Sequence, residues 1–330
     1  MNLIRFAALT FIYLSFSTVV EAAIRLEQFE YPFPVKSERI FSQQQELDMS
    51  FMELPAQKKQ LGTVVLLSDS EFCAAYWKET AEALSKAGYE VIMPDQLGLG
   101  KSFKPNNYQY SLQQMVENTR SLLLRKRLWK THLVGHGMGG MLAVRYALMF
   151  PKEILSVTLV NPRGLEDGKA QGQAYVSVDT RYQNELKETA EQRRNWQREH
   201  YYGGEWKTSY ERWIQMFEHL RDSPDYFLVA WNQSLIQDMV YTQPVCYEFS
   251  RLEVPVLLLL GKASPWSSEK NEETPLPLNP EAGKLASTAI PKVKLIELEN
   301  AGYLPHLDSF PEFIELLLPF LKKPTWDKKR

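Results

Sequence analysis

The apolar pattern of this chain changes period many times, and that alternation constrains the fold more than any other feature. Short apolar runs, "TVVLLS" (63–68), "EVIMPD" (90–95), "THLVGH" (131–136), "LSVTLVN" (155–161), "VPVLLLLG" (254–261) and "VKLIELE" (293–299), have the length and the near-continuous hydrophobicity of strands buried on both faces. Between them lie stretches with helical spacing: "YWKETAEALSKAGY", "SLQQMVENTRSLLLRK", "MGGMLAVRYALMF", "NPEAGKLASTA" and "FPEFIELLLPFLKK". Gly88 and Pro151 sit where two of these helices should stop. Strand and helix alternating at such spacing predict a mostly parallel sheet with helices on both faces. Ahead of them, "LDMSFMEL" alternates like a half-buried strand.

From about 163 to 252 the alternation stops. The segment is polar and rich in Arg, Glu, Gln, Tyr and Trp, with helical spacing in "TAEQRRNWQREHYYGG" and "YERWIQMFEHLRD" and no buried strand. It is expected to be a helical cap inserted between two strands. With 330 residues, 44% of them hydrophobic, the chain can bury one large core, so a single main domain over 23–330 is expected.

The first 22 residues have the form of a secretory signal: Arg5, an apolar run from Phe6 to Val20, then Val20 and Ala22 as small residues before a cleavage point. The expectation is an exported body, periplasmic or secreted, with membrane attachment only if this segment is retained. Basic and acidic residues nearly cancel, 38 against 40, so no strong field draws nucleic acid. Cys73 and Cys246 are the only cysteines. An exported protein permits a bridge between them, and free buried thiols are the simpler reading. No spacing suggests a metal site, and no cofactor is expected.

The stretch "GHGMGG" (135–140), a buried strand running into a G-x-x-x-G turn and a helix, resembles the nucleophile elbow of the α/β-hydrolase fold. "PDQLGLGKS" resembles that superfamily's D-x-x-G-x-G-x-S loop, with Asp95 shaping it. "NAGYLPHLDSFPEF" resembles its G-H-x-P segment. Three motifs in order, with a cap where the family carries one, imply an α/β-hydrolase fold.

The resemblance also implies a catalytic triad, and each of its positions is substituted. The nucleophile position is Gly137, the acid position after the seventh family strand is Ser264, and the base position is Tyr303. Asn161 stands at the second acid position that some members use. A glycine cannot attack, and a phenol that titrates near pH 10 is a poor base. The oxyanion loop, usually H-G-x, reads Ser68, Asp69, Ser70. Backbone donors at Ser70 and Met138 could survive, while a carboxylate at Asp69 facing the pocket would oppose a developing oxyanion.

Three classes of function follow. One is a pseudoenzyme that binds a small apolar or acyl-type ligand in the pocket under the cap, walled by Trp196, Tyr201, Tyr202, Trp206, Tyr210 and Trp213; packing within the cap explains the same aromatics more simply. The second is a protein-interaction module; the loop "SPWSSEKNEETPLPLNP" (264–280) reads as solvated rather than as a docking segment. The third is a hydrolase of ester or similar acyl substrates with a rearranged site, for which Cys73, His136 and His306, with Glu71 nearby, are the candidates. The sequon-like "NQS" at Asn232 matters only where the host glycosylates.

Overall fold

The computed structural model describes residues 26–262 and 280–324. Eight strands form one sheet: β1 (Val35–Ser42), β2 (Gln45–Leu54), β3 (Gly62–Leu67), β4 (Tyr89–Pro94), β5 (Thr131–Gly137), β6 (Ile154–Pro162), β7 (Val256–Gly261) and β8 (Val293–Leu298). Their spatial order is β1-β2-β4-β3-β5-β6-β7-β8. The β1–β2 and β2–β4 pairs are antiparallel, and every pair from β4 onward is parallel. The continuous apolar runs are the central strands: every residue of β5 is buried, because helices cover both faces there.

Helices α1 (Lys78–Ala87), α2 (Leu112–Arg125), α3 (Met138–Met149), α8 (Pro280–Ala289), α9 (Pro305–Asp308) and α10 (Phe310–Lys322) pack on the sheet. Gly88 ends α1 in the left-handed region at φ 104°, as its position suggested. Two apolar clusters lie on opposite sides of the sheet. One gathers α2 and α3 side chains such as Met115, Leu122 and Met141 with Leu133 and Leu159. The other gathers Trp77, Leu84, Phe313 and Leu317 with Val64 and Val134.

Between β6 and β7 the chain forms α4 (Val178–Lys187), α5 (Ala190–His200), α6 (Glu211–Arg221) and α7 (Tyr226–Thr242). These helices stand over the carboxyl end of the sheet, where Tyr201 of the insertion meets Tyr303 of the segment after β8. Thr189 and Gln192 form a reciprocal capping box that starts α5. The aromatics of this region pack mainly on one another. Tyr202 stacks on Tyr210 at 3.7 Å between ring centres, and Trp213 meets Phe72 edge to face at 5.9 Å. Asn232 is fully buried in α7, its amide donating to Pro105 O and Leu228 O, so the NQS triplet is closed to glycosylation in the folded protein. Cys73 and Cys246 are separate free thiols. Residues 1–22, Ser264 and the rest of the loop after β7 through 279 lie outside the described residues.

Candidate functional site: a filled oxyanion hole

The turn between β5 and α3 has the form its glycines require. A β-carbon at Gly135 would lie 2.2 Å from Gly139 O, and one at Gly139 would lie 2.1 Å from Leu67 O, so strand and helix can meet this closely only without side chains. Gly137 itself, at φ 56° and ψ −121°, occupies a backbone conformation that is strained for any residue with a β-carbon.

The place where a nucleophile would project is taken. A β-carbon built on Gly137 would stand 2.4 Å from Asp69 Cγ and 2.6 Å from Tyr303 Oη. Asp69, fully buried at the end of β3, turns its carboxylate inward: Oδ1 accepts from Met138 N–H at 2.8 Å, and Oδ2 accepts from the Tyr303 hydroxyl at 3.0 Å. Burial alone would push the Asp69 carboxyl up. Arg163 and the backbone N–H groups of Met138 and Ser70 outweigh it and hold the group below its usual range. Those two N–H groups are the pair that the sequence marks as oxyanion donors. The side chain expected to oppose an oxyanion instead stands in for one.

Arg163, the residue after Pro162 at the end of β6, closes the arrangement. Its Nη2 lies 3.3 Å from Asp69 Oδ2, 3.0 Å from Glu71 Oε1 and 3.2 Å from Tyr201 Oη, and its Nε donates to Tyr303 Oη at 3.3 Å. The Tyr303 ring stacks on Tyr201 with 4.2 Å between centres. Burial, reinforced by Asp69, holds the Tyr303 phenol far above its usual range, so it donates and does not accept a proton. Burial together with Asp69 also raises the Glu71 carboxyl, against the pull of Arg163.

A second, neutral chain of hydrogen bonds runs beneath. Asp69 N–H donates to Tyr76 Oη at 2.9 Å, and Tyr76 Oη lies 3.1 Å from His136 Nδ1. His136 Nε2 lies 2.9 Å from Tyr303 O; a carbonyl only accepts, so Nε2 carries the proton and Tyr76 donates to Nδ1. Asn161, at φ 38°, donates to Gly302 O and Tyr303 O at 2.9 Å each and accepts from Gly261 N–H at 3.0 Å. The Asn161 amide thus ties the ends of β6, β7 and β8 together. A carboxylate could not do this, because two of the three contacts need a donor.

The rearranged-site candidates do not converge on a reacting atom. Burial pushes the Cys73 thiol up to about 12, and Asp95 beside it adds to this, so it is not a thiolate at neutral pH. His136 is pulled down to about 4 by burial and is fixed at both nitrogens. His306 is fully buried with no partner at either nitrogen, its ring 4.2 Å from that of Trp77 and 4.9 Å from that of His136; burial holds it well below its usual range. Ser68 is buried and its hydroxyl has no partner. Asp95 shapes its loop, accepting from Ala74 N–H at 2.8 Å, Lys101 N–H at 2.8 Å and the Tyr31 hydroxyl at 2.6 Å. No group of three or more His, Cys, Asp or Glu residues suited to a metal ion occurs among the described residues.

Above the Arg163–Glu71 pair, a cavity of about 400 Å³ opens between the floor and helices α4, α5 and α7. Its lining is polar and charged, with Val176 and Trp196 as the apolar exceptions. Of the six cap aromatics, only Trp196 reaches it.

The alpha/beta hydrolase fold family profile matches residues 68–309, which is most of the chain. The chain belongs to the α/β-hydrolase fold family. A probable hydrolytic enzyme from Pseudomonas aeruginosa PAO1 superposes with a TM-score of 0.86 at 40% identity, covering 90% of this chain and 97% of that one. An esterase from Exiguobacterium antarcticum superposes with a TM-score of 0.69 at 18% identity over 87% of this chain and 100% of its own, a likeness of fold. Among curated proteins, the probable lysophospholipase BODYGUARD 1 of Arabidopsis thaliana is 34% identical over 38% of this chain and 28% of its own length. The putative carbamate hydrolase RutD of Variovorax paradoxus is 36% identical over 30% of this chain and 38% of its own. Each alignment therefore spans well under half of the curated relative.

Sequence reasoning pointed to Gly137, Asp69 and Tyr303, which the structure brings together, but missed Arg163. One signal was available: a charged residue at the carboxyl end of a buried parallel strand, where this architecture places its ligand-facing groups.

Proposed function

We propose that this protein is an exported, non-hydrolysing member of its family, a pseudoenzyme that binds a small molecule in the cavity beneath its cap. The reading rests above all on the Asp69 carboxylate, which takes the Met138 donor from within and fills the space a nucleophile would need. An oxyanion hole accelerates acyl transfer only if its donors are free to meet charge as it develops, and a resident anion removes that differential. Gly137 supplies no attacking atom; of the groups around it, the Asp69 carboxylate is committed to Met138, Tyr303 and Arg163, Glu71 is paired with Arg163, and the raised phenol of Tyr303, the depressed imidazole of His136 and the arginine are poor bases at neutral pH. Relatives named as a probable lysophospholipase and a putative carbamate hydrolase support hydrolysis as the reaction class from which this reading departs. The cavity above remains, which favours ligand binding over a purely surface role. Export is proposed from the amino-terminal segment alone.

The test is exposure of the purified protein to a panel of esters, thioesters and amides and to a serine-directed phosphonate, with intact-mass readout. No turnover and no mass gain are expected. Specific hydrolysis lost in Cys73→Ala, or an adduct on any cleft side chain, would instead establish the rearranged hydrolase.

A further inference from the structure

Arg181, on α4, is only 6% exposed and lines the cavity. Buried guanidinium groups normally have a carboxylate partner. The other two cavity arginines do: Arg163 pairs with Asp69 and Glu71, and Arg193 with Glu185 at 3.4 Å and Glu188 at 2.5 Å. The hydrogen bonds of Arg181 go to neutral acceptors, Val176 O at 3.2 Å and Gln237 Oε1 at 3.3 Å. Among the described residues no carboxylate stands at ion-pairing distance from it, and Asp238 acts on it only at longer range. Burial lowers its hold on its proton, as expected for a cation short of compensation.

The same Gln237 amide that accepts from Arg181 donates through Nε2 to Glu185 Oε1 at 2.9 Å. One amide group therefore bridges an under-compensated cation and a buried carboxylate that line the same cavity, within reach of the two ends of one small ligand. Burial holds Glu185 up to about 7 even with Arg193 beside it, so a further cation there is favourable. Three lining carboxylates, Glu71, Glu185 and Glu188, nearly balance the four lining cations, Arg163, Arg181, Lys187 and Arg193, which suits a ligand carrying both signs of charge. Only Val176 and Trp196 are apolar side chains, so the apolar part of the wall comes largely from the stems of charged residues whose heads demand polar partners.

The geometry points to a small zwitterion, a free amino acid or a molecule with an amino-acid head, bound with its carboxylate on Arg181 and its ammonium toward Glu185. This assignment rests on the reading of the cavity as a non-hydrolytic binding site and names its ligand class.

The full chain is screened by thermal shift and calorimetry against the twenty common amino acids at ~10 mM, where a specific ligand raises apparent stability by mass action. The best binder is then compared with its α-carboxamide, with its deaminated acid, and with octanoate. At least one amino acid should bind, and loss of either charged end should weaken it about tenfold or more, the scale of one charge-assisted contact. Arg181→Gln should abolish binding, while Arg181→Lys, which keeps the charge, should retain part of it. The unliganded melting temperature of each variant separates lost binding from lost folding. Binding of the carboxamide as tightly as the acid, preference for octanoate, unchanged affinity in a folded Arg181→Gln, or silence from all twenty amino acids would each overturn the assignment. Ester hydrolysis in the parallel assay would overturn the non-hydrolytic reading instead, so the two failures are distinguishable.

Discussion

Replacing Gly137 by alanine adds one methyl group and tests the filled hole directly. The new β-carbon carries two costs. At φ 56° it puts a residue with a side chain into a strained backbone region, about 1–3 kcal/mol. It also meets Asp69 Cγ at 2.4 Å and Tyr303 Oη at 2.6 Å, distances no real contact tolerates, so the carboxylate must leave at least one of its donors. A hydrogen bond to a charged group contributes about 1.5–3 kcal/mol. Together these give a loss of roughly 2.5–6 kcal/mol, a large part of the stability of an ordinary domain. The measurement is the urea midpoint of Gly137→Ala, of Asp69→Gly and of the double variant. Asp69→Gly removes the colliding carboxylate and leaves only the Tyr303 hydroxyl to give way, so the second change should cost less in its presence, and the cycle should show a coupling of about 1–3 kcal/mol. If Gly137→Ala costs under about 1 kcal/mol, or if the two changes simply add, the carboxylate does not occupy the nucleophile's place and the account of the site fails.

Other expectations follow from the same contacts. Gly137→Ser should take up no phosphonate, since its hydroxyl would have neither a base nor a free hole; a stoichiometric mass gain would contradict this. Asn161→Asp should destabilise by about 2–4 kcal/mol without bringing activity, because it turns two donated hydrogen bonds into oxygen–oxygen contacts at 2.9 Å, and thermal melts with an esterase assay check both parts. His132 is held down to about 4 by burial, so between its unfolded value near 6.5 and about 4 the unfolded chain binds the extra proton and stability falls as the pH falls. His132→Phe should reduce the pH slope of unfolding in that window by about one proton, and equilibrium unfolding at pH 4.5 and 7 measures it. Tyr303→Phe removes the hydroxyl that Asp69 and Arg163 share and should cost about 1–3 kcal/mol in the same urea assay.

The central sheet was legible because its strands are continuous apolar runs separated by helical periods, and the elbow because close approach leaves only glycine at 135 and 139. β1 was not: "VKSERIFS" is an edge strand, largely exposed, with no apolar face for the pattern to reveal. α7 was missed for the opposite reason. It is apolar around most of its circumference, so it has little helical stripe to detect. α4 carries few apolar residues and buries Arg181 and Glu185 instead. At the site, the residues at 137, 161 and 303 could be singled out one by one. What filled the space could not, because Asp69, Arg163 and Tyr303 are 94 to 234 positions apart from one another or nearly so, and only the sheet order brings the ends of β3, β6 and β8 together.

Asn161 and Arg163 lash together strand ends at the rim of the cavity. Catalytic rims are usually the soft part of a fold, the first to breathe. Here the rim has become its clasp. Amide protons of Met138, Gly261 and Tyr303 should exchange with solvent as slowly as those of the innermost strands, so that the quietest ground in the molecule lies beside the turn that carries Gly137.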